Sequence, residues 1–164
     1  MKLRKANLTD FENFKILYED LEKKYQIMYY DDSEDIDTVK QNDNVLEPMD
    51  EEEYNTWIRL HDEKYRNFTI DKFQAYLKEY RVYMVEDDGK LLGSLSVSKC
   101  GKTHMQIIDW GMFDTNTNII NKVIEQVKQK YHSQTILLIV CSEKMRKILF
   151  RNNFKEIASG IFEG

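Results

Sequence analysis

The sequence predicts an α/β (α+β) domain: a mixed, mostly antiparallel central sheet of about six or seven strands, flanked by about four or five helices. Three observations predict it. Between Lys90 and Phe154 the apolar pattern reads strand, strand, helix, strand, helix. Asp88-Gly89 separates two alternating runs, one of the strongest short-range hairpin signals, because glycine accepts positive φ without steric cost. Elsewhere apolar residues recur at offsets of three and four, a spacing that only a helix face satisfies.

In chain order, Lys2 to Ala6 is a short first strand. Thr9 and Glu12 have the spacing of a capping box, with the Thr9 hydroxyl accepting from the turn and Glu12 reaching back. The helix that follows carries Phe11, Phe14, Tyr18, Leu21, Tyr25 and Met28 on one stripe and fades near Tyr30. Residues 31–49 are polar and contain the only proline, Pro48. Two helices are expected over about 50–62 and 69–80, the second with Phe73, Tyr76, Leu77 and Tyr80 at helical spacing. Strands 81–86, 90–98 and 103–113 form an antiparallel meander. A helix over 118–131 buries Ile120, Val123, Ile124, Val127 and Tyr131. Ile136 to Val140 is an unbroken apolar run that suits a strand buried on both faces. The helix over 143–152 turns Met145, Ile148 and Leu149 inward and Lys144, Arg146, Lys147 and Arg151 outward, and Lys155 to Phe162 reads as a final strand.

With 164 residues the chain reads as a single domain over 1–164, long enough to bury about two-thirds of its unfolded surface. Apolar residues at 41% and charged residues at 32% fit a soluble globule, and no apolar run approaches the roughly 20 residues of a membrane span. Met1 to Asn7 is basic without a following apolar signal core, so a cytoplasmic location is expected. Cys100 and Cys141 match no zinc spacing, no metal site is expected, and both read as reduced thiols packed on strands. The net charge of −5 is unevenly spread: residues 31–53 hold eleven acids against one Lys, whereas the remainder carries 23 basic and 18 acidic residues. That pattern implies two surfaces of opposite sign. Without a basic stripe interleaved with aromatics, no nucleic-acid partner is expected.

This element order resembles that of the GNAT superfamily of acyl-CoA-dependent N-acyltransferases over nearly the whole chain. Lys2 to Phe14 looks like the family's first strand and helix. Val85 to Ser94, with Glu86, the Asp88-Gly89 turn and Leu92, Gly93 and Ser94, resembles its v-x-e-x-x-g-x-x-v-G hairpin. Ser142 to Phe154 resembles its closing helix, N-x-x-A-x-x-L-Y-x-x-x-G-F. The resemblance implies a splay between strands 103–113 and 135–141, acetyl-CoA as co-substrate, and an amine acceptor. Paired family members imply a homodimer.

Two departures stand out. The family's pyrophosphate loop, R/Q-x-x-G-x-G/A, cradles phosphates with backbone N–H groups at a helix N-terminus. Here Phe113 to Asn121 contains no glycine, Arg or Gln, and is about three residues shorter if Val123 and Ile124 occupy the family's apolar pair. Thr115, Asn116, Thr117 and Asn118 are the candidate phosphate donors, and Asp114 or the same residues serve equally as a plain helix cap. The family's catalytic tyrosine falls on Leu149, or on Phe150 after a shift of one, and neither bears a hydroxyl. Ser142 takes the motif's Asn position beside the cofactor. Asn153 replaces its glycine, which suits a left-handed helix C-cap.

Acetyl transfer to an amine needs a proton acceptor. Asp109 interrupts an apolar strand, and the resembling family often places its base there; it is the first candidate, with a solvated edge or an ion pair as the alternative. Glu86, at a strand end, is the second. His104 reads as a solvated histidine and Trp110 as core. By the resemblance, the backbones of Gly111 and Phe113 would hold the pantetheine arm, although a strand glycine equally marks a bulge. Segment 31–53, flanked by Tyr29, Tyr30, Tyr54 and Trp57, falls where the family builds its acceptor site. It would attract a cationic small molecule or peptide: a polyamine, an aminoglycoside or a basic peptide. Three readings result: an acetyl-CoA-dependent N-acetyltransferase, a non-catalytic binding protein of the same fold, and an unrelated α+β interaction module.

Overall fold

A computed structural model describes residues 1–19, 52, 68–140 and 142–164. Its strands are β1 (Lys2–Lys5), β2 (Arg81–Asp87), β3 (Lys90–Cys100), β4 (His104–Met112), β5 (Thr135–Ile139), β6 (Lys155–Ala158) and β7 (Ile161–Glu163). Its helices are α1 (Phe11–Glu19), α2 (Ile70–Glu79), α3 (Thr117–Lys130) and α4 (Glu143–Arg151), with a short 3-10 turn over Leu8–Asp10. The strands form one sheet in the order β1-β2-β3-β4-β5-β7-β6. Every pairing is antiparallel except β4 with β5. Apart from residue 52, the expected helix over 50–62 and segment 31–53 lie outside the described residues, as do Tyr29, Tyr30, Tyr54, Trp57, Cys141, and Leu21, Tyr25 and Met28 of the first stripe.

Two apolar layers sandwich the sheet. On the back face α3 and α4 bury Ile120, Val123, Ile124, Val127, Met145, Ile148 and Leu149 against Val85, Leu95, Val97, Ile107 and Trp110. On the front face α1 and α2 bury Phe14, Tyr18, Phe73 and Tyr76 against Ala6, Val82 and Met84. The stripes expected for α3 and α4 therefore match the residues buried. Asp88 and Gly89 take φ values of 48° and 77°, so the β2–β3 hairpin closes through two left-handed residues, as the Asp-Gly pair predicts.

Several expectations shift. The capping box sits two residues earlier than Thr9: Asn7 accepts from the Thr9 N–H at 2.9 Å, and Asp10 Oδ2 accepts from the Asn7 N–H at 2.9 Å. Asn7 is the better cap, and Asp10 is additionally drawn inward by Arg4. The C-terminal tail is two strands, because Gly160 at φ 72° turns the chain between β6 and β7, and β7 inserts beside β5. β5 is buried on one face only: Ile136 and Leu138 are covered, whereas Ile139 is 40% exposed. The front helices explain this, since α1 lies over β3 and β4 and α2 over β2. Cys100 is exposed at the end of β3, not packed.

The end of α4 is a Schellman turn. The Phe154 N–H donates to Leu149 O at 3.0 Å and the Asn153 N–H to Phe150 O at 3.1 Å, with Asn153 left-handed at φ 62°. Replacing Asn153 with Ala, whose methyl group crowds the left-handed backbone, is expected to lower stability by about 1 kcal/mol, whereas Asn153→Gly matches or exceeds the parent. Urea midpoints read both changes. An alanine variant as stable as the parent would contradict the cap.

Candidate active site

The site begins with an irregularity in β4. Ser96 pairs with Asp109 but Val97 pairs with Ile107, so Ile108 is an extra residue, a β-bulge. Up to that point Met105 and Ile107 point into the back core; beyond it Trp110 and Met112 do. The bulge thus shifts the alternation by one residue and turns Asp109 to the front. It also bends β4 away from its parallel neighbour. Pairing with β5 covers only His104 with Thr135, Met105 with Ile136 and Gln106 with Leu137. From Ile107 onward no described residue pairs with β4 on that side, and the two strands diverge as expected.

Asp109 is buried at 7% exposure beneath the front layer. The Tyr76 hydroxyl of α2 donates a hydrogen bond to its Oδ2. Burial, followed by the charge of Asp109, pushes the Tyr76 hydroxyl far above the ordinary range, so the proton stays on tyrosine. Burial and then the same charge push Tyr18 upward, and Tyr80 is raised chiefly by burial. Ser94 and Ser96 are buried on β3, with Ser96 directly opposite Asp109 in the ladder. Among the described residues the Ser96 hydroxyl has no partner within hydrogen-bond geometry, although it lies near enough to Tyr76 to favour the ionised phenol. The site is therefore a carboxylate, a tyrosine donor and two small hydroxyls on the stretch of sheet where β4 has lost its second neighbour.

The register determines which backbone groups face the divergence. The Phe113 N–H donates to Leu92 O at 2.8 Å, and Gly111 O is turned onto Gly93, where an added Cβ would meet it at 2.4 Å. Gly111 and Phe113 thus direct their backbones to β3. Because successive residues of a strand point their N–H and C=O groups to opposite sides, those facing the opening belong to Trp110 and Met112. The resemblance implied Gly111 and Phe113, whose backbone groups face β3 in this register. Trp110 itself is core, and its indole N–H has no hydrogen-bond partner among the described residues.

From the carboxyl ends of the two diverging strands the chain enters two helices. α3 starts at Thr117 with Asn116 as its cap: Asn116 Oδ1 accepts from the Asn118 N–H at 2.9 Å, and Asp114 Oδ1 accepts from the Asn116 N–H at 2.9 Å. Two of the N–H groups at this turn are thus occupied by the loop's own side chains. Thr115 and Thr117 lie in the same turn, and Phe113 is exposed beside it. α4 starts after Ser142, which is buried at 1% exposure and accepts from the Met145 N–H at 3.2 Å. Ser142 is a helix cap in this structure.

Glu86 lies apart from Asp109. Its Oε1 accepts from Arg4 Nε at 2.7 Å and its Oε2 faces Lys2 Nζ at 3.2 Å. Arg4 also holds Asp10 through two further bonds of 3.0 and 2.7 Å. Hydrogen bonding from Arg4, then from Lys2, keeps Glu86 below the usual carboxylate range, which makes it a poor proton acceptor and a structural tie between β1 and β2. His104 bonds Thr103 Oγ1 through Nδ1 at 2.8 Å and faces Glu163 at 3.8 Å. Among the described residues no cluster of His, Cys, Asp and Glu is arranged to hold a metal ion, and no described helix is long and apolar enough to cross a membrane.

Many solved structures match this fold, and three of those that span nearly the full chain illustrate it. A probable acetyltransferase from Staphylococcus epidermidis has a TM-score of 0.61 at 11% identity, covering 99% of this chain and 93% of its own. The PaiA N-acetyltransferase from Thermoplasma acidophilum, crystallised with coenzyme A, has 0.57 at 12%, covering 99% and 95%. An aminoglycoside 6'-acetyltransferase type Ii has 0.54 at 12%, covering 99% and 94%. This is the GNAT fold. No family model and no curated protein sequence matches the chain, so the likeness is carried by architecture alone.

The GNAT hairpin resemblance has a physical core in Gly93, where only hydrogen fits against β4. Tyr76 is the site residue that sequence reasoning missed, because it reads as one member of a helical core stripe. The bulge had a legible signal: the apolar phase runs Met105, Ile107, then Trp110, Met112.

Asp10 and Glu86 both sit below their ordinary values of 3.8 and 4.5, Asp10 first through its bonds from Arg4. The unfolded chain therefore binds protons more readily, and this contribution, complete above about pH 5, is lost as pH falls through those values. Arg4→Met is expected to flatten the acid limb of the stability curve, read by urea unfolding from about pH 6 to pH 2.5. An acid slope as steep as the parent's would contradict the assignment.

Proposed function

We propose that the chain is an acetyl-CoA-dependent N-acetyltransferase acting on an amine of a small cationic molecule or peptide. What carries the reading is the coincidence of two features on one strand. β4 loses its neighbour β5 after Gln106, and the buried carboxylate of Asp109 lies within the stretch so released.

The chemistry follows from that placement. The amide-bearing arm of the thioester satisfies the backbone groups of Trp110 and Met112 as an extra, partial strand would. A buried carboxylate under tyrosine rings suits an ammonium group, which it binds as a cation and neutralises by taking its proton, directly or through water. The freed amine nitrogen attacks the thioester carbonyl carbon, the C–S bond breaks, and an amide forms. The departing thiolate takes a proton from water, since neither Leu149, which is fully buried, nor Phe150 offers a hydroxyl. The positive ends of α3 and α4, both issuing from the divergent strands, favour the anionic end of the nucleotide.

The self-capped turn at Asp114 and Asn116 favours a second reading, a binding protein of this fold that no longer takes CoA. Calorimetric titration with acetyl-CoA separates the two: binding is expected, and no heat at high micromolar protein supports the second. For the enzyme, Asp109→Asn is expected to lower the rate of acetyl transfer to spermine, kanamycin or a lysine-rich peptide by about a hundredfold or more, with acetyl-CoA binding retained. Transfer at the parent rate by that variant would remove Asp109 from the mechanism.

A further inference from the structure

We infer that Tyr76 is the positioning residue of this site, acting through Asp109; the inference rests on the transferase reading above. A carboxylate on a strand carries two torsions of its own and must be held if it is to meet a proton along one direction. Tyr76 supplies the hold from a different element, 33 residues away in sequence, by donating its hydroxyl to Asp109 Oδ2. Its ring is locked on several sides: Phe14 at 5.4 Å and Tyr18 at 5.5 Å from α1, Phe68 at 6.4 Å, and Tyr80 at 4.7 Å between centroids. Tyr76 is thus a rigid strut whose polar tip is fixed on the acid.

Among the described residues, the following groups face that acid. Tyr18 from α1, Tyr76 from α2 and Tyr80 at its C-terminal cap feel its charge, Glu79 adds a like charge near Tyr18 and Tyr80, and Ser96 lies opposite it on β3. Tyr76 therefore orients the proton acceptor, through a bond in which the hydroxyl donates and the carboxylate accepts.

The test uses the full chain, acetyl-CoA, and spermine, kanamycin and a lysine-rich peptide as probe amines. Tyr76→Phe is expected to lower kcat about tenfold, the loss of one charge-assisted hydrogen bond, with KM for acetyl-CoA unchanged. In an Asp109→Asn background the same change is expected to add less than about twofold, because the two residues act as a unit. An equal proportional loss in both backgrounds, or a rise in KM for acetyl-CoA without a fall in kcat, marks a merely structural tyrosine and overturns the inference. Parent kinetics in Tyr76→Phe overturn it as well. Failure of the parent protein to acetylate any probe overturns the transferase reading and the inference with it, an outcome distinct from an active parent with an indifferent Tyr76→Phe.

Discussion

A backbone amide inside a protein needs a partner, and beyond Gln106 strand β4 finds none among the described residues on the side of β5. The rest of the site depends on that constraint. The extra residue at Ile108 bends β4, the parallel ladder ends after three pairs, and the released groups of Trp110 and Met112 face the space between the strands. β5 keeps its shape because β7 pairs with its other edge. The two strands then lead into α3 and α4, so the opening is bordered by two helix N-termini and by unpaired sheet backbone, a combination suited to a long ligand that has amides at one end and negative charge at the other.

The same bulge explains the buried acid. Without it, position 109 would follow Met105 and Ile107 into the back core, where a carboxylate would be very costly. With the alternation shifted, Trp110 takes the back-face position and Asp109 meets the front layer, where Tyr76 offers a proton donor. The aromatic front layer matters for more than burial. Phe14, Tyr18, Phe68, Phe73 and Tyr76 interlock at centroid distances of 4.4 to 6.4 Å, which fixes a polar tip over the sheet. Opposite charges work elsewhere: Arg4 ties Asp10 and Glu86 into a brace across β1 and β2, remote from this chemistry.

Much of the architecture is legible in the sequence because its determinants are local. The Asp88-Gly89 turn, the stripe Ile120, Val123, Ile124, Val127, and the left-handed Asn153 each follow from residue type and spacing within a few positions. The departure of β4 from β5 was expected from a resemblance, not from spacing. What escaped reading is decided by competition or by distance. Asn7 outcompetes Thr9 as a cap. β5 reads as doubly buried because sequence cannot tell how far the front helices reach. The contact of Tyr76 with Asp109 joins a helix to a strand across the fold, and nothing in the spacing of either segment announces it. Gly111 drew attention as a glycine in a strand, yet the bulge lies at Ile108, where only a phase shift in apolar residues marks it.

The unpaired edge of β4 is the proposed seat of a ligand's amide arm. Amide NMR of the nitrogen-15-labelled chain during titration with coenzyme A tests it most directly. Large shifts and slowed solvent exchange are expected at the Trp110 and Met112 amides, with Gly111 and Phe113, which face β3, moving less. Saturating coenzyme A that leaves Trp110 and Met112 unchanged, or that moves only residues on the far side of the sheet, would contradict it.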